Sequence, residues 1–282
     1  MNHNQWTSAQ LAAAYKNACM AELQALKPGN VHAFADGHGM TIYDFIQSAD
    51  VSATLIAQSD LTVGERILNA VEATQQAVGM NTNLGLVLLC APLIHAALDR
   101  DETQTFKQSL SETLNHLTID DARLAGQAIV LANPAGLGRA NKNDVHQQSA
   151  VTLLEMMQSA QTKDRIAWQY ANEFSDIFDF GLMRYGAAMD QWQNQAWATT
   201  ALYLGFLSHQ LDTHIIRKYD ESLAVSVMNE AKNIEADYWA TDNPKLMQKK
   251  LLEWDASLKV RRINPGTSAD LTVACLLAAF LQ

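Results

Sequence analysis

Apolar residues recur every three or four positions along most of the chain, and runs that alternate between β-branched and polar residues are nearly absent. This spacing is the period of an α-helix with one buried face. Ala, Leu, Gln, Glu and Met are frequent, and these residues favour helix. The pattern therefore predicts an all-α fold. The predicted helices cover residues 7–26, 41–59, 63–78, 82–98, 103–115, 119–132, 145–160, 163–174, 176–191, 194–209, 212–232, 237–257 and 267–281.

Short breaks rich in Gly, Pro, Asn and Asp separate the predicted helices, at residues 27–30, 36–39, 133–138 and 264–266. Residues of these types end helices and form turns. No break differs enough in composition to mark a linker, and the chain contains no internal repeat. We predict a single helical domain over residues 1–282, built as a multi-helix bundle with an internal polar pocket.

The overall charge argues against one large class of partner. The 282 residues carry a formal net charge of −10 and contain no basic run. A nucleic-acid surface needs clustered positive charge to contact phosphates. We therefore expect no nucleic-acid partner, and any phosphate contact must be local.

The sequence gives no sign of a membrane segment or an export signal. The longest apolar stretch, residues 84–98, is interrupted by Pro92 and His95 and is shorter than the ~20 residues that span a bilayer. The first residues lack the basic start and apolar core of a signal peptide. Single cysteines within apolar segments are typical of reduced core thiols. We expect a cytoplasmic protein that does not contact a membrane.

Residues 212–218, Asp-Thr-His-Ile-Ile-Arg-Lys, place charges beside apolar segments. On a helix, His214, Arg217 and Lys218 would share one face, because they stand at positions i, i+3 and i+4. Together they would bind phosphate. Asp212 would cap the helix, ligate a metal or act as a base. The alternative is a capped helix with an exposed basic turn.

Residues 264–270, Asn-Pro-Gly-Thr-Ser-Ala-Asp, form a turn followed by an apolar helix. Thr267 and Asp270 have the spacing of a capping box. The free N–H groups of such a helix start suit a phosphate, which Asp270 would repel unless a cation intervened. Magnesium between Asp270 and a polyphosphate would remove that conflict.

Two further groups of polar residues lie beside apolar segments. Asn81, Thr82 and Asn83 open the most apolar helix, where they either satisfy buried backbone groups or line a pocket and bind a base or ribose. Glu22 precedes a tight turn over residues 27–32 that carries a cation, an amide and an imidazole. An exposed glutamate is the alternative for Glu22.

The sequence lacks the motifs of several other kinds of enzyme. The sequence contains no phosphate-binding P-loop, no His-Glu-x-x-His zinc motif and no Gly-x-Ser-x-Gly nucleophile elbow. The glycines at 136–138 follow no predicted strand, so they do not form a dinucleotide fingerprint, and Asp144 after them is more typical of an N-cap. The residues alone indicate a helical pocket for an anionic ligand.

Taken in order, five motifs resemble the triphosphoribosyl-dephospho-CoA synthase family, and they span nearly the whole chain. The resemblance implies an all-α enzyme that joins ATP to 3′-dephospho-CoA, releases adenine and makes the prosthetic-group precursor of citrate lyase or malonate decarboxylase. The motifs are Glu22 with Lys27-Pro-Gly-Asn-Val-His32, Gly79-Met-Asn-Thr-Asn-Leu-Gly85, Gly136-Leu-Gly138 with Asp144, Asp212-Thr-His-Ile-Ile-Arg-Lys218 and Asn264-Pro-Gly-Thr-Ser-Ala-Asp270.

The reaction that the resemblance implies suggests roles for these residues. Lys27, Arg217 and Lys218, with magnesium on Asp212 and Asp270, would hold the triphosphate. His214 or His32 would protonate departing adenine, and Glu22 or Asp212 would act as the base. The remaining nucleotide-binding residues would be Asn30, Asn81, Thr82, Asn83, Asn264, Thr267 and Ser268.

The chain departs from the family pattern at the acceptor end. Asn83 and Leu84 stand where members tied to citrate lyase tend to have His-Lys. Residues 30–32 and 133–135 are similar to a branch associated with one-carbon metabolism that uses methanofuran and tetrahydromethanopterin-like cofactors. A related transferase with a different acceptor is therefore an alternative function.

A non-catalytic helical nucleotide-binding protein is an alternative of another class. It would share the fold and the core but would tolerate loss of the carboxylates. Release of adenine from ATP would separate the enzyme from the binding protein. The large apolar content is compatible with a homodimer, although no coiled-coil seam indicates a specific interface.

Overall fold

The computed structural model describes residues 6–101, 103–134 and 150–282, and these residues form an all-α fold, as predicted. Their only β-structure consists of two isolated bridges in the loop after the first helix. The α-helices are α1 (Ser8–Gln24), α2 (Ile42–Ile56), α3 (Val63–Val78), α4 (Leu84–Asp99), α5 (Phe106–Asn115), α6 (Ile119–Ala132), α7 (Leu153–Ala160), α8 (Arg165–Ala171), α9 (Leu182–Trp192), α10 (Gln195–His209), α11 (Thr213–Lys218), α12 (Glu221–Trp239), α13 (Gln248–Val260) and α14 (Gly266–Leu281).

Two short segments have other helical geometries. A π-helical turn, Asp176–Gly181, continues directly into α9. A 3₁₀-helix, Pro244–Met247, continues into α13. Within the described residues the predicted helix over 145–160 is confirmed only from Leu153 onwards, and residues 145–149 lie outside them.

The prediction of one helix over residues 212–232 is wrong. Tyr219 has φ −130° and ψ −98°, which ends α11. Asp220 then caps a new helix, because its Oδ1 accepts a hydrogen bond from the N–H of Leu223 at 2.8 Å. This second helix, α12, extends to Trp239, so the helix predicted over 237–257 is wrong at its start as well.

Threonine side chains set the starts of five helices. Thr7, Thr62, Thr105, Thr118 and Thr152 each accept a hydrogen bond from the backbone N–H three residues later. In each case the side-chain oxygen of that later residue accepts a hydrogen bond from the threonine N–H. Such capping boxes satisfy backbone donors that a helix start leaves unpaired. They explain why the starts of α1, α3 and α6 lie within a residue of the predicted ones.

Two apolar clusters form the core of the described residues. The larger cluster packs residues from α1 to α8 against α14, and the smaller one packs α9 to α13. α10 takes part in both, with Phe206 in the larger cluster and Leu204 in the smaller. α14 does the same through Leu276 and Ala269. The start of α14 therefore lies where the two clusters meet.

The thiols of Cys19, Cys90 and Cys275 are free and buried, as the sequence predicts. α4 is apolar on nearly all sides and lies within the larger cluster, which accounts for its composition. Among the described helices, none combines the length and the hydropathy that crossing a membrane would require.

Candidate active site

Asp212 joins the first turns of α11 and α14. Its Oδ1 accepts hydrogen bonds from the N–H groups of His214 and Ile215, at 3.0 and 3.2 Å, and so caps α11. Its Oδ2 accepts from the N–H and the hydroxyl of Ser268, at 2.8 and 2.9 Å. Four donors fill the acceptor positions of a carboxylate. Asp212 is only 2% exposed, and it fixes the position of one helix start relative to the other.

Two threonines add a second link between these helices. The hydroxyls of Thr213 and Thr267 lie 3.1 Å apart, and Thr267 Oγ1 also accepts from the N–H of His214 at 3.0 Å. Thr213 Oγ1 accepts from the N–H of Arg165, at the start of α8, at 3.1 Å. The starts of α8, α11 and α14 therefore converge on one small group of hydroxyls.

The capping box predicted for Thr267 and Asp270 is not formed. Pro265 occupies the N-cap position of α14 and has no side chain that could cap the helix, whose Ser268 N–H is instead bound by Asp212. Thr267 is the second residue inside the helix, and its hydroxyl bonds to α11 instead. Asp270 consequently stands one turn into the helix, where its carboxylate does not reach back to the helix start.

The carboxylate of Asp270 is partly buried and forms no hydrogen bond or ion pair with the described residues. Burial holds the pKa of Asp270 well above its usual range, and the nearby charges of Asp212 and Glu22 raise it further. Arg217 opposes this shift. Gly85, in the first turn of α4, lies directly against the carboxylate, and a Cβ at that position would collide with Oδ2.

Glu22 and Lys27 form an ion pair in the protein interior. The Lys27 ammonium is 0% exposed and donates to Oε1 of Glu22 and, at 3.1 Å, to Oδ1 of Asn30. Asn30 Nδ2 then donates to Oδ1 of Asn264 at 2.8 Å, which connects this turn to the loop before α14. Burial raises the pKa of Glu22 and lowers that of Lys27, and the attraction between the two charges opposes both shifts.

Asp255, on α13, holds the turn that follows α1. Its Oδ1 accepts from the N–H of Gly29 at 2.8 Å and lies 3.4 Å from Nε2 of His32. Its Oδ2 accepts from Lys259 at 3.0 Å. Nδ1 of His32 accepts from the N–H of Phe34 at 3.2 Å. Both imidazole nitrogens of His32 therefore face protein atoms, and burial lowers the pKa of this histidine.

The three residues predicted to share a basic face, His214, Arg217 and Lys218, have different hydrogen-bond partners and different exposure. Arg217 Nη1 forms an ion pair with Oδ2 of Asp164, the N-cap residue of α8. Lys218 is exposed and donates to the carbonyl of Arg262 at 3.3 Å. His214 is partly buried, and this burial lowers the pKa of its imidazole. The charges of Arg217 and Lys218 both act on His214 and lower its pKa further.

Asn81, Thr82 and Asn83 all have partners within the protein. Asn81 Oδ1 accepts from the first N–H of α4 at 3.1 Å. The hydroxyl of Thr82 lies 2.5 Å from that of Ser48, and Asn83 Nδ2 donates to Oγ1 of Thr74 at 2.8 Å. These contacts favour the alternative in which the three residues satisfy buried polar groups at the start of α4.

A small cavity lies beside some of these residues. Glu22 and Asn83 both line it, and its volume of about 20 Å³ is room for roughly one water molecule. An internal polar pocket of ligand size therefore stays a prediction. A cavity of about 680 Å³ lies elsewhere, lined by residues such as Arg66, His95 and Asp121, and it includes none of the predicted site residues.

The fit of magnesium differs between the two predicted ligands. Within residues 6–101, 103–134 and 150–282, no group of three or more His, Cys, Asp or Glu side chains is arranged to hold a metal. Asp270 suits a cation, because its carboxylate is unpartnered and near other negative charges. Asp212 would first have to release one of its four donors. A magnesium ion on Asp270 would take its remaining oxygens from a bound polyphosphate and water.

The structure brings most of the predicted residues to the start of α14, and it adds some that sequence reasoning missed. Asp164 and Asp255 are the clearest of these. Asp164 precedes a helix, which is a signal for an N-cap but not for an ion pair with a distant arginine. Asp255 lies within a charged helix, and only its contact with the turn after α1 reveals its role. Asp144 lies outside the described residues.

Comparisons with known proteins bear on the family and the fold of the chain. Residues 8–282 match the family model described as CitG, ATP:dephospho-CoA triphosphoribosyl transferase. A crystal structure from Archaeoglobus fulgidus, of a protein provisionally assigned as a triphosphoribosyl-dephospho-CoA synthase, has the same fold with a TM-score of 0.63. The alignment has 20% identity and covers 84% of this chain and 97% of the other. A search of curated proteins gave no match. The match over residues 8–282 shows that the chain belongs to the ATP:dephospho-CoA triphosphoribosyl transferase family.

Proposed function

We propose that the protein transfers the 5-triphosphoribosyl group of ATP to the 2′-hydroxyl of 3′-dephospho-CoA. The bond between adenine N9 and the ribose C1′ breaks, and a bond from C1′ to the acceptor oxygen forms. The acceptor proton passes to a base, and adenine leaves with a proton from an acid. The product is 2′-(5-triphosphoribosyl)-3′-dephospho-CoA. Membership of the transferase family supports this reaction.

One structural observation supports the placement of the reaction. Asp270 lies close enough to Glu22, Lys27, Asp212 and Arg217 for their charges to influence one another, and these residues come from two family motifs besides its own. Charges kept together at low exposure carry a desolvation cost that ligand binding would offset. The start of α14 is therefore our candidate for the reaction centre.

The triphosphate needs positive charge, and Arg217 is the best placed cation among the described residues. It is partly buried and lies near Asp270, whereas Lys218 is exposed. Magnesium bound to Asp270 would neutralise phosphate oxygens and orient the triphosphate. Lys27 would join the site only if the turn after α1 opened, because its ammonium is fully buried against Glu22 and Asn30.

The burial of Glu22 and His214 suggests which residues act as the base and the acid. Burial raises the pKa of Glu22, which brings this carboxylate closer to the range of a general base. Burial lowers the pKa of His214, which favours the neutral imidazole in the absence of ligand. A bound triphosphate would raise that pKa, because negative charge stabilises the imidazolium. His214 would then be able to protonate adenine, while His32 has both nitrogens directed to protein atoms.

The test is release of adenine, measured by liquid chromatography. Purified protein is incubated with ATP and magnesium, with and without 3′-dephospho-CoA. We expect adenine only when the acceptor is present. Asp270→Asn should abolish adenine release and weaken magnesium-dependent binding of ATP. Asp190→Asn, which changes an exposed carboxylate on α9, is the matched control and should behave as the wild type.

Other outcomes assign the protein to an alternative. If ATP binds but adenine appears only with a different acceptor, the protein is a transferase with another substrate, as in the branch linked to one-carbon metabolism. If ATP binds and no acceptor releases adenine, the non-catalytic nucleotide-binding function is correct. Unchanged calorimetric binding of ATP and magnesium by Asp270→Asn would exclude Asp270 as the metal ligand.

A further inference from the structure

Two arginines near the start of α8 use their guanidinium groups differently. Arg165 binds Asp176 through Nε and Nη2, each at 2.7 Å, so this fork is fully engaged with a carboxylate. Arg217 binds Asp164 through Nη1 alone. A bidentate contact uses two donors of the planar group, and a single contact leaves the other edge available. Arg217 is therefore the arginine that can accept a further anion.

The other edge of the Arg217 guanidinium lacks hydrogen-bond acceptors among the described residues. Its Nε is buried and has no hydrogen-bond partner. Its Nη2 forms no hydrogen bond with the described residues. A buried donor without a partner is costly, and an anion oxygen at this edge would remove the cost. The Arg217 charge lowers the pKa of Asp270, but the two side chains do not form an ion pair.

The carboxylate of Asp164 is held in place from the other side. Its Oδ1 accepts hydrogen bonds from the N–H groups of Ile166 and Ala167, at 2.9 and 3.2 Å, in the first turn of α8. The start of α8 is in turn tied to α11 through Arg165 and Thr213. Oδ2 of Asp164 thus occupies a fixed position relative to the helix that carries Arg217.

We propose that Asp164 is a positioning residue, which holds one edge of the Arg217 guanidinium so that the opposite edge meets the triphosphate. This inference rests on the proposed function. Asp164 itself contacts no substrate. It restricts the rotamers of a long side chain before the ligand arrives, and ordering that side chain in advance lowers the cost of binding. Asp164 caps α8 through Oδ1 and contacts Arg217 through Oδ2, so the helix cap alone does not account for the ion pair.

Asp164→Asn separates the two roles of this side chain. Asparagine caps helices as well as aspartate does, so α8 should keep its start and the protein its melting temperature. The charged contact with Arg217 is lost. We expect the dissociation constant for inorganic tripolyphosphate with magnesium, measured by calorimetry, to rise about tenfold, as befits loss of one charge-assisted contact. The KM for ATP should rise by a similar factor with a smaller change in kcat.

A double-mutant cycle with Arg217→Gln tests whether Asp164 acts through Arg217. If it does, adding Asp164→Asn to Arg217→Gln should weaken tripolyphosphate binding by less than twofold, because the target of the positioning is already absent. Asp179→Asn, which removes an exposed ion pair with Lys107, is the matched control and should leave binding unchanged. Lowered melting temperature without a change in binding would mean that Asp164 only caps α8, and would overturn the inference.

The remaining outcomes separate this inference from the proposed function. Equal effects of Asp164→Asn in the wild-type and Arg217→Gln backgrounds would overturn the positioning role while leaving the transferase reaction intact. The same holds if Arg217→Gln binds tripolyphosphate and ATP as the wild type does while adenine release persists. Absence of both adenine release and tripolyphosphate binding in the wild type would overturn the proposed function and this inference together.

Discussion

Gly85 and Asp270 lie in direct contact, with the backbone of one helix start against the carboxylate of the other. The contact leaves no room for a Cβ on α4, which explains a glycine inside an otherwise apolar helix. It also places the unpartnered carboxylate at the junction of α4 and α14. The geometry of Asp270 thus depends on a residue that carries no chemistry of its own.

Gly85→Ala should displace the Asp270 carboxylate. Because misplacing a reactive group by about 1 Å can cost roughly a hundredfold in rate, we expect adenine release to fall by about ten- to a hundredfold. The collision should also lower the free energy of unfolding by about 1–3 kcal/mol. Gly186→Ala on α9 is the control, because a Cβ there meets no atom within 4 Å. That variant should keep full activity and gain up to ~1 kcal/mol of stability.

Asp212→Ala should destabilise the fold as well as the site. The change removes the N-cap of α11 and both bonds from Ser268, so we expect the free energy of unfolding to fall by about 2–4 kcal/mol in urea. Ser268→Ala loses only the hydroxyl bond and should cost about 1 kcal/mol. Equal stability of wild type and Asp212→Ala would show that the link between α11 and α14 is not maintained in solution.

Breaking the buried ion pair should cost more than removing it entirely. Glu22→Gln or Lys27→Met leaves one charge buried without its partner, which should lower the free energy of unfolding by about 3–5 kcal/mol. The double variant should lose clearly less than the sum of the two single losses. Chemical denaturation of the four proteins at pH 7 measures this, and strict additivity would contradict a coupled pair.

His32 should make the fold more sensitive to acid. Burial lowers its pKa in the folded protein, so the unfolded chain binds a proton first as pH falls. The stability that His32 contributes is therefore present above the unfolded histidine pKa of about 6.5 and is lost as pH falls through the lower folded value. His32→Gln retains hydrogen-bonding capacity but does not titrate. The unfolding free energy of the wild type minus that of His32→Gln should decrease as the pH is lowered from 7.5 to 5. A difference that stays constant over this range would contradict the role of His32 in acid sensitivity.

The sequence predicted helices best where a local signal marked their ends. Capping threonines such as Thr62 and Thr118 lie within a residue of the predicted starts of α3 and α6. The break between α11 and α12 was missed, although Asp220 is an N-cap by residue type. The apolar period continues across Tyr219, and periodicity alone does not register a single non-helical residue.

The sequence singled out several residues that lie near the start of α14, but it did not predict which side chains pair with one another. Glu22 and Lys27 are close in sequence, and a tight turn already suggests that they meet. The partners Asp164 and Asp255 are far along the chain from the groups they bind, at Arg217 and Gly29. Their contacts depend on how helices pack, which local spacing does not encode. The four bonds to Asp212 likewise appear only when α11 and α14 are placed together.

The full burial of the Lys27 amine has a consequence for chemical labelling. An amine-reactive reagent can acylate this lysine only while the turn after α1 is open, so the rate of modification reports how often that opening occurs. A nucleotide that binds Lys27 directly must hold the turn open, so it would change the rate of modification. The rate would rise if the amine became exposed to the reagent, and it would fall if a phosphate covered the amine. A nucleotide that binds only at Arg217 would leave the slow rate of labelling at Lys27 as it is in the free protein.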